Sequence, residues 1–230
     1  MIKKLFCYIL GASLGLTVLL SAPMLVQAER QTLNYSDGAV YYGQIKNGKP
    51  HGEGRMTWGK SKTYNGNWVE GKRSGQGVYK TITQETDRIS ETQYEGTWKS
   101  DRKEGKGVLR VNEISLTGAM LESRVQTGTF AKDQWIAGYD VRHHGEADPP
   151  YFFSYKDAKM QLQIMGEAGE ILKGLKEGYF FSFKYQKGKV HKNVGVGDEY
   201  DPKAFRSFIV SIEKEIKPYI QQFEKLAKKL

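Results

Sequence analysis

Tyr64-Asn65-Gly66-Asn67-Trp68-Val69-Glu70-Gly71-Lys72-Arg73-Ser74-Gly75-Gln76-Gly77-Val78-Tyr79 is the stretch that decides the fold. Its first part alternates. Tyr64, Gly66 and Trp68 fall on one face of an extended chain, with polar residues and Val69 on the other, which is the period of a half-buried strand. Glu70-Gly71-Lys72 reads as a turn, and a second strand begins at Gly75-Gln76-Gly77. Paired glycines weaken a lone strand. Here they mark a place where the sheet bends, or where an aromatic ring of the next hairpin lies on bare backbone.

The same markers stand 23 residues earlier, at Tyr41-Tyr42-Gly43, Gly48 and Gly52-Glu53-Gly54. They return 30 residues later at Tyr94-Glu95-Gly96 and Gly105-Lys106-Gly107, with Asp101 in place of the third-position glycine. The turns read Asn47-Gly48-Lys49 and Ser100-Asp101-Arg102, and Asn-Gly is a strong hairpin signal while Asp tolerates the same positive φ. A more eroded fourth copy runs from Gln126 through Gly128, Phe130 and Asp133 to Gly138, with Ala137 where the fourth glycine is expected. A single hairpin is marginal in water, whereas stacked copies sharing an aromatic face stabilise one another. The spacing Tyr-x-Gly-x-Trp/Ile-x-x-Gly-x-x-x-Gly-x-Gly resembles the MORN repeat family over about residues 35–140. That resemblance implies contact with proteins or phospholipids. The residues by themselves imply a stacked hairpin sheet with a positive edge. Between the second and third copies, Lys80 to Glu91 is expected to form a longer, polar and flexible connection.

The N-terminal Lys3 and Lys4, the apolar Leu5 to Leu20, and the small residues of Val26-Gln27-Ala28 read as a secretory signal over residues 1–28. The expected location is exported, secreted or in the cell envelope; the alternative is an uncleaved membrane anchor, since the uncharged run is long enough to span a bilayer. Cys7, the only cysteine, lies within this segment, which rules out thiol catalysis and cysteine metal sites in the mature chain. Net charge is +9, and +7 once the two lysines of the signal are removed. This balance favours an anionic partner, a membrane or cell-wall surface before nucleic acid for an exported chain.

Asp148-Pro149-Pro150 reads as the boundary of the repeats. Beyond it, Tyr151 to Tyr155, Met160 to Ile164, Tyr179 to Tyr185 and Val190 to Val194 read as a small antiparallel meander, while Glu167 to Lys176 fits either a helical turn or a strand. Asp201-Pro202 starts a helix, with Asp as N-cap and Pro in the first turn. Ile209, Ile212, Ile216, Tyr219, Phe223, Leu226 and Leu230 form its apolar seam, and Pro218 is expected to kink or split it. The seam suits packing on the meander, a partner helix or a membrane surface. The fold class is therefore mainly β: stacked antiparallel hairpins over 35–142, followed by a small α+β domain over 148–230 that ends in a long helix.

For function, Lys49, Lys72 and Arg102 recur at the hairpin turns, with Arg73 and Lys103 beside them and Tyr64, Trp68, Tyr94 and Trp98 behind. In parallel registration these cations make a row suited to an anionic surface or a protein. Charges at hairpin tips also serve solvation and block edge pairing. The reading is an exported, non-enzymatic binding or scaffold protein with no cofactor, no metal site and no catalytic residue. Gly54 to Ser61 matches a phosphate-loop formula, but Thr63-Tyr64-Asn65-Gly66 opens a hairpin where the motif needs a helix, so no nucleotide is expected. His143-His144 with Asp140 or Glu146 is a poor ligand set, because adjacent strand residues face opposite ways. Two alternatives stay open: an envelope enzyme using His191, Asp198, Glu199 and Asp201, or repeats that act only as a spacer.

Overall fold

The structure is a computed structural model and describes residues 29–230. The signal segment read over Met1 to Ala28 lies outside the described residues. The strands are β1 (Arg30–Asn34), β2 (Ala39–Lys46), β3 (Lys49–Trp58), β4 (Lys62–Val69), β5 (Lys72–Gln84), β6 (Arg88–Lys99), β7 (Arg102–Ser115), β8 (Met120–Ala131), β9 (Gln134–His144), β10 (Tyr151–Lys156), β11 (Met160–Gly166), β12 (Ser182–Lys187) and β13 (Val190–Val194). They form one 13-stranded antiparallel sheet in chain order, so each strand pairs only with its neighbours in sequence. Two helices follow the repeats, α1 (Ile171–Glu177) and α2 (Pro202–Ala227).

Each repeat is a hairpin, as its residues require. The tips Asn47-Gly48, Glu70-Gly71, Ser100-Asp101 and Lys132-Asp133 all hold positive φ at both central positions, the turn whose twist matches that of the flanking strands. The two glycines of each Gly-x-Gly do different work. The first one, Gly75, has φ +79° at a bulge where Gly66 pairs with Gly77 but Trp68 pairs with Arg73, and this bends the ribbon. The second, Gly77, lies under the Tyr64 ring, and a Cβ there would collide with it. The ring therefore belongs to the same hairpin, not to the next one as the spacing alone allowed. The next hairpin supplies the tryptophan: Trp98 meets Tyr64 edge-on at 5.5 Å and donates from Nε1 to the Gly77 carbonyl at 3.2 Å. Trp68 repeats this on Tyr41 and the Gly54 carbonyl, and Phe130 packs on Tyr94 in the fourth hairpin.

The register exposes a change of side. One row across the sheet runs Tyr41, Met56, Tyr64, Tyr79, Tyr94, Leu109, then Gln126, Asp140, Ser154, Gln163 and Lys184. It is aromatic or aliphatic up to β7 and polar from β8 onward. The adjacent row, on the opposite face, does the reverse: Thr57, Thr63, Lys80, Gln93 and Arg110 lead into Val125, Val141, Phe153, Ile164, Phe183 and Val194. The sheet thus buries one face in the repeats and the other face beyond them. The first core holds Tyr41, Tyr64, Trp68, Tyr94, Trp98 and Phe130. The second joins Val125, Val141, Phe153 and Phe183 to the apolar side of α2. The backbone does not break at Asp148-Pro149-Pro150, where β9 pairs with β10.

Two expectations change and one left open is settled. The residues between the second and third copies do not form a loose connection but lengthen β5 and β6, paired from Lys80 with Gln93 to Gln84 with Ile89. Of the two readings open for residues 167–176, the helical turn is the one found: α1 begins at Ile171 and is closed by Gly178 at φ 87°. Pro218 does not split α2, which runs unbroken from Pro202 to Ala227. Pro218 and Lys214 are exposed, so the carbonyl left without its amide donor faces water, and buried Ile216, Ile220 and Phe223 hold both sides of it to the sheet. The seam packs on the sheet: Phe223 lies 5.5 Å from Phe153 and 5.7 Å from Tyr139.

Candidate functional site

The sequence places its candidate cations at the hairpin tips, and the structure divides them. Lys49, Lys72 and Arg102 are the first residues after the turns and are exposed. Arg73 and Lys103 come one residue later and face the other way, since successive strand residues alternate. Arg73 lies over the Trp98 ring at 4.3 Å and holds Asp101, with Nε to Oδ1 at 3.0 Å and Nη2 donating to the backbone carbonyl at 2.9 Å. Lys103 sits over Tyr94 at 5.5 Å, where desolvation lowers the pKa of its ammonium. Tyr64, Trp68, Tyr94 and Trp98 are no more than 4% exposed. These four side chains are the core behind the edge, and a partner does not reach them. The row of five is thus a row of three at the surface, with two cations stacked on the aromatic ladder.

Neighbouring tips are stitched together. The Gly71 amide donates to Pro50 O at 2.9 Å, Asp101 N to Arg73 O at 3.0 Å, and Asp133 N to Lys103 O at 3.1 Å. At the last two tips the carboxylate answers: Arg73 N donates to Asp101 Oδ1 at 3.0 Å and Lys103 N to Asp133 Oδ1 at 2.9 Å. Pro50 has no amide hydrogen to offer, so the second tip has a glycine, Gly71, where later tips need an aspartate. This accounts for Asp101 as a requirement of its neighbour rather than a tolerated deviation. The stitching fixes the tips at two strand spacings, about 10 Å apart.

Two cations escaped the sequence reading. Lys46 pairs directly with Lys49 across the first hairpin, and Lys99 pairs with Arg102 across the third. All four are exposed. Like charges directly opposite are unfavourable in a sheet, and among the described residues none of the four has a carboxylate within 4.0 Å. The signal was available as Lys46-Asn47-Gly48-Lys49, read outward from the turn to both flanks rather than forward only.

The other candidates disperse. Asp201 caps α2 by accepting from Lys203 N and Ala204 N at 2.8 and 3.2 Å, and Asp198 accepts from Gly195 N. His144 faces Glu122 at 3.5 Å while His143 packs at a tilt against Tyr151. Among the described residues, no three His, Cys, Asp or Glu side chains are grouped to hold a metal ion. Gly59-Lys60-Ser61 forms the connection between β3 and β4, so no helix N-terminus follows it.

Residues 41–63, 64–81 and 94–110 each match the family model described as MORN repeat. The chain therefore carries three MORN repeats, and the match stops before the fourth hairpin and the helix-covered half. MORN repeats are generally associated with membrane, lipid or protein binding. No curated protein matches the chain.

Proposed function

We propose that the protein is an exported, non-enzymatic binding scaffold that lays the stitched tips of its MORN repeats on an anionic surface, acidic phospholipid headgroups in the first instance. The observation that carries this reading is the pair of like-charge contacts, Lys46 with Lys49 and Lys99 with Arg102, at exposed tips where, among the described residues, none of the four has a carboxylate within 4.0 Å. A fold under selection for stability alone places opposite charges there; an anionic partner turns the repulsion into affinity. Lys72 on the second tip completes the row. At about 1 kcal/mol per basic residue near an anionic membrane, five such residues give useful but salt-sensitive adhesion. Export rests on the N-terminal pattern, and N-terminal sequencing of protein recovered from the native host checks it.

The direct test is sedimentation with vesicles. The chain is expected to pellet with phosphatidylglycerol-containing vesicles, not with phosphatidylcholine alone, and to release as salt rises. Replacing Lys49, Lys72 and Arg102 by Gln together is expected to weaken binding by about a hundredfold, from three residues at about 1 kcal/mol each. Equal binding to neutral and acidic vesicles with no salt effect would remove the proposal.

A further inference from the structure

A second site lies where the sheet changes its buried face. On the face that carries the aromatic ladder, but beyond the matched repeats, a cavity of about 520 Å³ opens between β8 and β11. Its centre is Asp140, which is 3% exposed. Arg124 grips this carboxylate with Nε at 2.8 Å from Oδ1 and Nη2 at 2.7 Å from Oδ2; Arg142 Nη2 and Gln126 Nε2 add bonds to Oδ2 at 3.0 and 3.1 Å. Burial works against ionisation here, but the hydrogen bonds and charges of the two guanidiniums outweigh it and hold the Asp140 carboxyl below its usual range. Four bonds, three of them on Oδ2, engage both oxygens of the carboxylate. Asp140 is therefore a fixture that aims two arginines, not a ligand group.

What remains on the walls is an excess of donors. Lys156 joins the lining and lies over the Trp135 ring at 4.5 Å, so three cations line the cavity with one carboxylate, already bonded by both arginines. Trp135 Nε1 and Arg142 Nε are buried and have no hydrogen-bond partner within the protein. Buried donors of this kind are costly to leave unpaired. Both belong to side chains that line the cavity, together with the neutral hydrogen-bonding groups of Ser154, Gln161 and Gln163. Guanidinium groups held in a fixed orientation recognise planar or tetrahedral oxyanions, and serine and glutamine side chains recognise hydroxyls.

We infer that this cavity binds a soluble oxyanion carried on a hydroxylated body, a phosphorylated or carboxylated polyol. The site is separate from the tips in residues and in position, so the two can succeed or fail independently. Titration calorimetry with the full chain tests it, using glycerol 3-phosphate and glucuronate as probes and glycerol and glucose as neutral controls. Saturable binding of an anionic probe is expected, with no heat from the neutral ones. Arg142→Gln is expected to weaken it by about tenfold or more, as loss of a charged hydrogen bond does. Since that change also removes a partner of Asp140, Trp135→Phe and Lys156→Gln, which leave the Asp140 bonds in place, are expected to weaken binding too. The vesicle arm separates the sources: if phosphatidylglycerol vesicles bind in a way lost on Lys156→Gln but kept by the tip variants, the headgroup is lipid-borne and the soluble ligand is refuted. No binding of any anionic probe at millimolar concentration, or binding unaffected by all three cavity variants, overturns the inference.

Discussion

The repeats and the helix-covered half share one sheet, yet they bury it by opposite means. Among the described residues no second layer covers the repeats. Each of the first three hairpins bends at a left-handed glycine, folds its tyrosine onto its own bare backbone, and receives a ring of the next hairpin, Trp68, Trp98 or Phe130. Stability is passed from neighbour to neighbour. Beyond β8 the glycines give way to alternating Val, Phe and Ile on the other face, and α2 covers them. A sheet that lacks a covering helix must carry its own rings; one that has such a helix needs only alternation. The change of side also explains the polar cavity: it lies where the ladder face has lost its aromatic residues and α2 covers the opposite face.

The sharpest way to break this contrast is Gly77→Val. The new side chain occupies the place of the Tyr64 ring, which Trp68 and Trp98 hold on both sides. The repeats are expected to lose more than about 4 kcal/mol, beyond the range of ordinary substitutions, seen as loss of the near-ultraviolet tryptophan circular dichroism. Alkali gives a smaller effect. Burial pushes the Tyr94 hydroxyl up to about 12, above its unfolded value near 10. The neutral phenol therefore contributes its full stability below about pH 10 and loses it as pH rises toward 12, a loss of about 2–3 kcal/mol. Tyr94→Phe is expected to flatten that part of the pH profile in denaturant titrations.

Asp101→Ala comes next. It leaves the Arg73 amide and Nε without their acceptor, while Nη2 keeps the backbone carbonyl, and is expected to cost about 1–3 kcal/mol, whereas Gly71 stands at the equivalent place beside Pro50 without such a partner. The smallest change is expected at the exposed cations. Replacing Lys49, Lys72 and Arg102 by Gln is expected to shift stability by no more than about 0.5 kcal/mol, and in the favourable direction at the two repelling pairs, as thermal melts at low salt will show.

Much of this was legible in the residues. The turn chemistry of Asn47-Gly48 and Glu70-Gly71, the alternation through Tyr64 and Trp68, and the Asp201 cap each follow from local rules, and each stands as read. What local rules miss is which face gets covered. Alternation is the same whether the ring row or its neighbour is buried, so the exchange of faces at Gln126 depends on a helix that comes some 75 residues later. One mark was present: Gln126 stands where Tyr41, Tyr64 and Tyr94 stand in the other copies. Charge alone groups Arg73 and Lys103 with their neighbours, whereas strand period places them on the opposite face. The cavity lies beyond local rules because Arg124, Asp140 and Arg142 meet only through the pairing of β8 with β9.

Native-state hydrogen exchange on paired core variants tests the two-sided sheet most directly. Trp98→Ala is expected to speed exchange of amides in β2 to β7 while those of β10 to β13 and α2 keep their protection. Phe223→Ala is expected to do the reverse. Equal acceleration of both halves in either variant would mean one undivided core, and the account would fail.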